Sequence, residues 1–233
     1  MRILAFASML LASSMAFAAE TPERIARIQE AAKVMREIMQ TSDKGIPKEL
    51  LEDARCVVIV PGLKKAGFIV GGNYGKGVMT CRVGRRWSAP STVRIEGGSF
   101  GAQIGGGEVD VIMLVMSERG AEAVMKDKFT VGGEVGAMAG PVGRSASANT
   151  DPTLRSGILS YSRSRGLFAG IALNGSTLRP DDEDNAEIYG RKVSHQEILM
   201  GKVPPPPAAA PLYAVLGPSI GTPNTGTRAR TPK

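Results

Sequence analysis

The sequence predicts an α+β fold: a strongly curved, glycine-rich antiparallel β-sheet or partial barrel, flanked by an N-terminal amphipathic helix and a few short helices. Three observations carry this. Apolar residues recur at spacings of three and four between 22 and 40, the pattern shortens to strand-like runs after residue 54, and most of the 29 glycines fall in or between those runs. Glycine inside a strand marks a bulge, a sharp bend or a close approach of another backbone, which a curled sheet needs.

A chain of 233 residues suits one domain with appendages. Residues 1–18 read as a signal peptide: Arg2, an apolar run, then Ala16-Phe17-Ala18 as the cleavage site, with cutting expected after Ala18. No cysteine lies near that site to carry a lipid anchor, so the expectation is an exported, periplasmic protein that is released and associates with membranes only peripherally. The apolar run at 109–116 is far short of the roughly 20 residues that a spanning helix requires. The domain is expected over 19–202, followed by a disordered, proline-rich, basic tail over 203–233 that holds four consecutive prolines.

Thr21-Pro22 opens the first helix as N-cap and first-turn proline, and Ile25, Ile28, Ala32, Met35 and Met39 form its apolar stripe. Arg24, Arg27, Lys33 and Arg36 lie among glutamates on the other side; they are the candidates for a membrane-facing helix, against the plainer reading of a helix docked on its own domain. Gly45 ends this element and Pro47 starts a short second helix. "CVVIVPG", "AGFIVGGNYGKGVMTCRVG", "STVRIEGGSFGAQIGGGEVDVIMLVM" and "SGILSYSRSRGLFAGIALNGSTL" are the strands. Ser117 caps a helix near 117–128, and one or two further helices follow Asp181. Cys56 and Cys81 are either a disulfide of an oxidising compartment or two small buried hydrophobes; the sequence leaves both open.

The charge is partitioned. Residues 54–95 contain eight basic residues and no acidic one, whereas 96–134 hold seven acids against three bases. Lys64 and Lys65 follow a Pro-Gly turn, and Arg82, Arg85 and Arg86 surround the single tryptophan, Trp87. Arg163 and Arg165 alternate along a strand and so share one face. These eight residues are the candidate contacts for an anionic lipid surface, to which each near-surface Lys or Arg contributes about 1 kcal/mol. The plainer readings are solvated turns and, for Arg163 and Arg165, an ion pair with the acids at 181–184.

Other chemistries fit less well. Gly97-Gly98-Ser99-Phe100-Gly101 matches a nucleophile elbow, with His195 downstream, but the glycines at 105–107 and the β-type run after them leave no helix for the elbow to enter. His195 itself, in a polar stretch, reads as solvated. "GLKKAGF" and "GGNYGKG" lack the Lys-Ser/Thr of a phosphate loop. One histidine and two separated cysteines make no common metal site, and no cofactor is implied. Aromatic content of 5% offers no stacking platform for nucleic acid. The reading is therefore a non-enzymatic binder of anionic phospholipids or other acidic envelope lipids. The alternative is an envelope scaffold that captures a protein partner through its sheet edge and proline-rich tail, and the least favoured is a serine hydrolase using Ser99.

Between Lys33 and Lys202 the strings "IPKELLEDARCVVIVPG", "GGNYGKGVMTCR", "RRWSAPSTVRIEGGSFGAQIGG", "AGPVGR" and "YSRSRGLFAGIALNGSTLRPDDEDNAEIYG" resemble the SYLF domain family. The resemblance implies binding of acidic lipids through basic residues and an amphipathic N-terminal helix, with phosphoinositides as the eukaryotic ligands and actin binding described in yeast members. Eukaryotic relatives often append a peptide- or phosphoinositide-binding module, whereas the export signal and lone domain resemble bacterial periplasmic members. Neither actin nor phosphoinositide specificity is carried over to this chain.

Overall fold

The alternation of buried residues along the first two long strands decides the architecture. In β1 (Cys56–Gly67) and β2 (Val70–Val83), Val57, Ile59 and Val78 join one hydrophobic cluster while Cys56, Val58, Val60, Met79 and Cys81 join another. Both faces of the sheet are therefore covered. The computed structural model describes residues 22–41, 45–67, 70–100, 107–133, 135–142, 157–164, 167–170, 173 and 175–217. The expected signal peptide, Arg165 and residues 218–233 lie outside them.

The remaining strands are β3 (Arg86–Trp87), β4 (Ser91–Phe100), β5 (Gly107–Val115), β6 (Phe129–Thr130), β7 (Ala137–Ala139), β8 (Ile158–Ser164), β9 (Leu167–Gly170) and β10 (Thr177–Pro180). They pair in the order β6-β10-β4-β2-β1-β5-β8-β7, with β3 added to β2 and β9 to β8. Every pairing is antiparallel except β7 with β8. The sheet curls into a half-barrel, as the glycine pattern predicts.

One source of the curl is visible in β1. Between Ile59 and Lys64 the register with β2 slips by one residue, and a matching slip occurs against β5 between Val60 and Leu63. Gly62 sits there at φ 59°, and its amide donates to Asp110 Oδ1 at 2.9 Å. The bulge presses on β2, where a Cβ on Gly77 would fall 2.2 Å from the Ile59 carbonyl oxygen. No side chain fits at that position.

Cys56 and Cys81 face each other across β1 and β2 and form a disulfide, which closes the open question in favour of the bond. Helix α1 (Glu23–Gln40) buries Ile28, Ala31, Ala32, Met35 and Ile38 against the first sheet face, so it is docked on its own domain. Each such aliphatic side chain contributes about 1.5–3 kcal/mol, which fixes the helix firmly. Pro22 occupies its N-cap position. A side chain at Gly45 would collide with the carbonyl oxygens of Ile38 and Thr41, so the turn into α2 (Lys48–Asp53) requires glycine. On the opposite sheet face α3 (Glu118–Val124) packs Ala121, Ala123 and Val124, with the Ser117 hydroxyl accepting from the Gly120 amide as its cap.

The C-terminal part departs from expectation. After α4 (Asp182–Tyr189) and α5 (His195–Leu199), the segment expected to begin a disordered tail at 203 instead continues the fold. Pro207–Ala209 forms a single 3₁₀ turn and α6 (Ala210–Leu216) lies against α1. Ala209, Leu212 and Leu216 are buried in the first cluster, and Val203 is buried with Ala89, Val193 and Ile198. The ordered domain thus runs past 202 to at least Gly217. Apolar burial at four positions outweighs the entropy of ordering a segment already stiffened by proline.

Candidate functional site

The candidate lipid contacts do not converge. Lys64 and Lys65 pair with Tyr74 and Asn73 near one end of the β1–β2 ladder, while Arg85 and Arg86 follow Val83 at the other. Nine residue steps from Tyr74 to Val83 correspond to about 30 Å of strand. Lys64 stands exposed within 4.0 Å of Glu108. No single surface gathers both pairs.

Arg163 is not free for lipid phosphate. Its Nε donates to Asp110 Oδ2 at 2.6 Å, and it also pairs with Glu37 of α1. The acids at 181–184 are not its partners. Asp110 receives Arg163 and the Gly62 bulge together, so this arginine ties α1 to β5 and β8 across the bend.

The acidic run serves the N-terminus of α4 and α1. Asp181 accepts from the Asp184 amide as N-cap and pairs with Lys76 at 2.8 Å. Asp184 takes Arg27 at 2.5 Å and Lys76 at 3.3 Å, and Arg24 pairs with Glu187. Burial works against the charge on Asp184, but Arg27 and Lys76 outweigh it and hold the carboxyl below its ordinary range. The hydrogen bond that Lys76 donates to Asp181 raises the Lys76 pKa against the cost of burial. Lys33 pairs with Glu30 at 3.0 Å and Arg36 stands exposed, so the candidate membrane helix presents a mixed surface whose apolar side is covered.

The hydrolase constellation also dissolves. Ser99 lies within β4, paired with Gly71, rather than on a strand-to-helix turn. His195, expected to be solvated, is only 3% exposed, because the Ser194–Glu197 capping box starts a helix that turns the imidazole inward. Its Nδ1 lies 2.7 Å from Ser91 Oγ and its Nε2 3.3 Å from the Val124 carbonyl oxygen. Asn185 completes the network by accepting from the Thr92 amide and hydroxyl. Ser91 is fully buried, so this serine–histidine pair braces β4 against α4 and α5. His195 lines a cavity of about 550 Å³ together with Asp127, Asp182, Glu183 and Lys192. Among the described residues no group of side chains is arranged to hold a metal ion, and no helix is long and apolar enough to cross a membrane.

What the fold does assemble is the β2–β3 end. Gly84 at φ 60° makes the tight turn that exposes Arg85 and Arg86. Arg82 is not part of the exposed set: its guanidinium lies 4.0 Å from the Trp87 ring centre and donates to the carbonyl oxygens of Ala54 and Leu51. Burial lowers its pKa, and its role is to prop the tryptophan. Trp87 Nε1 donates to the Gly217 carbonyl at 3.1 Å, and the Tyr213 hydroxyl donates to the Ser88 carbonyl at 2.8 Å. Burial pushes the Tyr213 phenol up to about 12, so it stays a neutral donor.

These contacts shape a groove of about 670 Å³ between the hairpin and the segment at 201–205. Trp87, Tyr213, Pro204 and Pro205 line it, and among the described residues Arg85, Arg86 and Lys202 are its charged lining residues, with no carboxylate. Glu197, whose charge acts on Lys202, is engaged in the capping box with Ser194. Val83 (39% exposed) and Met200 (49%) stand at the same end, where Val83 lies within 3.2 Å of the Cβ position of Gly201. Sequence reasoning reached Arg85, Arg86 and Trp87 but missed Lys202, at the last residue of the expected domain, and Tyr213, which belongs to the segment read as a tail.

A family profile described as "Las17-binding protein actin regulator" (Ysc84) matches residues 96–218, just over half of the chain and including α6. The chain belongs to the Ysc84 (SYLF) family. It is 36% identical over 197 residues to "Protein YSC84" of Saccharomyces cerevisiae, covering 81% of this chain and 42% of that protein. It is 34% identical over 195 residues to "SH3 domain-containing YSC84-like protein 1" of Homo sapiens, covering 81% and 57% respectively. "LAS seventeen-binding protein 3" of Saccharomyces cerevisiae is 33% identical over 197 residues, with 81% and 43% covered. The SYLF chain therefore spans about half the length of these relatives. The family profile's description names a Las17-binding actin regulator, and one relative's name describes binding of LAS seventeen.

Proposed function

We infer that this SYLF chain is an exported, non-enzymatic binding protein that docks peripherally on anionic membrane lipids in the bacterial periplasm through its β2–β3 end. The observation that carries this reading is the groove with Arg85, Arg86 and Lys202 at its rim, no carboxylate among the described lining residues, and Val83 and Met200 exposed beside it. Cations flanking apolar tips suit an interface where headgroup phosphates lie above acyl chains. The sequence after Gly217 adds Arg228, Arg230 and Lys233 with no acid, and Gly217 is anchored at the groove by Trp87. A family description and a relative's name that speak of binding rather than catalysis, and the complete burial of Ser91, support the non-enzymatic part.

Three cations near an anionic surface contribute about 3 kcal/mol together, an attraction that salt screens. Co-sedimentation with phosphatidylglycerol vesicles tests the reading. Binding that weakens as salt rises, with little binding to phosphatidylcholine, supports it; equal binding to both, or none, removes it.

A second reading, capture of a protein partner, has one structural observation in its favour. Pro204, Pro205 and Pro207 are exposed while the segment is held by Val203 and Ala209, and Pro206 has φ −69° and ψ 151°, polyproline II values. Relatives named for Las17 binding make a protein partner a natural alternative. Deleting the segment would remove core residues, so the test is Pro204→Ser with Pro205→Ser. Loss of partner capture with vesicle binding intact would favour this second reading.

A further inference from the structure

The groove has more definition than surface attraction requires. Its floor is made of two aromatic rings whose polar atoms are already satisfied inward, Trp87 Nε1 on the Gly217 carbonyl and the Tyr213 hydroxyl on the Ser88 carbonyl. Ser88 Oγ is buried and engaged with the Cys81 amide and the Ala89 carbonyl. The two rings that line the groove therefore have their own polar atoms engaged, while Arg85, Arg86 and Lys202 supply its charge among the described residues.

A neutral peptide laid on the rings would leave the three cations of the groove without a counter-charge. A fully polar anion would satisfy the rim and leave the floor uncovered. The occupant that matches both parts has a phosphate at one end and an apolar body at the other. A volume of about 670 Å³ falls within the usual range of small-ligand sites, roughly 300–1,000 Å³, and accommodates a headgroup with the first part of its chains.

We propose that the groove binds one molecule of an anionic phospholipid, its phosphate held by Arg85, Arg86 and Lys202 and its glycerol and upper chains lying on Trp87 and Tyr213. This rests on the reading that the β2–β3 end meets lipid, and deepens it from attraction to a surface into stoichiometric recognition of a single molecule. The disulfide between Cys56 and Cys81 braces the base of the hairpin that supplies two of the three cations, so the rim is held in place before lipid arrives.

Trp87 is the chain's single tryptophan, which makes its fluorescence a reporter of the groove alone. The probe is dihexanoyl phosphatidylglycerol below its micelle concentration. The proposal expects a saturable change in Trp87 emission, a one-to-one complex by native mass spectrometry, and at least about tenfold weaker binding of dihexanoyl phosphatidylcholine and of glycerol 3-phosphate, since each lacks one half of the match. Arg86→Ser and Lys202→Ser, both at exposed positions, each weaken binding roughly tenfold or more with unchanged far-UV circular dichroism.

Anionic vesicles bound without any saturable binding of the monomeric lipid would overturn the pocket and leave surface docking standing. Failure of both would overturn the two readings together. Equal binding of glycerol 3-phosphate would make the site one for free phosphate esters, and tighter binding of an acidic peptide than of the lipid would make it a peptide groove; either result overturns the proposal.

Discussion

Replacing Arg163 with methionine should destabilise the domain and leave lipid binding alone. The arginine side chain is 17% exposed and pairs with Asp110, also 17% exposed, and with Glu37 at 38%. Removing one member of a fully buried pair costs about 3–5 kcal/mol, and a surface pair is worth about 0–1 kcal/mol. With these exposures the cost falls between, at about 2–3 kcal/mol. For a domain of this size each kcal/mol lowers the melting temperature by about 2–4 °C, so a loss of about 5–10 °C is expected. Differential scanning calorimetry measures it, and vesicle co-sedimentation checks the second half. Adding Asp110→Asn should recover part of the loss, because it removes the stranded carboxylate. A melting temperature unchanged within about 1 °C together with weakened vesicle binding would refute the reasoning and return Arg163 to the lipid surface.

Further outcomes follow from the same contacts. Cys56→Ala with Cys81→Ala opens a bond between residues 25 apart, which by loop entropy costs about 3.5 kcal/mol; urea denaturation against the oxidised protein reads it, and mass before and after reductant verifies the bond. Gly77→Ala places a methyl group 2.2 Å from the Ile59 carbonyl oxygen, so a loss of about 2 kcal/mol or more is expected in the same assay. Burial lowers the His195 pKa below its ordinary 6.5, so the unfolded chain takes up a proton that the folded chain resists. Stability should be full above pH 6.5 and fall as the pH drops below it, and His195→Gln should flatten that part of the profile.

The curled sheet was legible because its causes are local. Gly62 and Gly77 are needed where they stand, and the run from Cys56 to Val60 alternates between two buried faces whatever lies against them. The docked helix was legible too, since Ile28, Ala32 and Met35 repeat at helical spacing. Pairing between distant residues was not. Nothing near Arg163 announces that Asp110 and Glu37 will reach it, and the nearest guess from sequence, the acids at 181–184, holds Arg27 and Lys76 instead. His195 looked solvated because its neighbours are polar, yet the Ser194 cap rotates it under β4.

The C-terminal segment shows how composition can mislead. Four prolines and a basic end suggested a tail, but Ala209, Leu212 and Leu216 repeat at three and four, and Pro211 lies in the first turn of α6 where proline is tolerated. That helical signal was present and was outweighed by proline content. Its consequence reaches the site, because Lys202, Tyr213 and the anchoring carbonyl of Gly217 all depend on this segment being folded. The charge partition along the chain, in contrast, said little about where cations meet in space.

The most direct test of the account compares the two ends of the β1–β2 ladder on phosphatidylglycerol vesicles. Arg85→Ser, Arg86→Ser and Lys202→Ser combined should weaken co-sedimentation roughly a hundredfold, from about 1 kcal/mol per cation, while Lys64→Ser with Lys65→Ser stays near the unaltered protein. Equal losses from both sets, or a greater loss from Lys64 and Lys65, would contradict it.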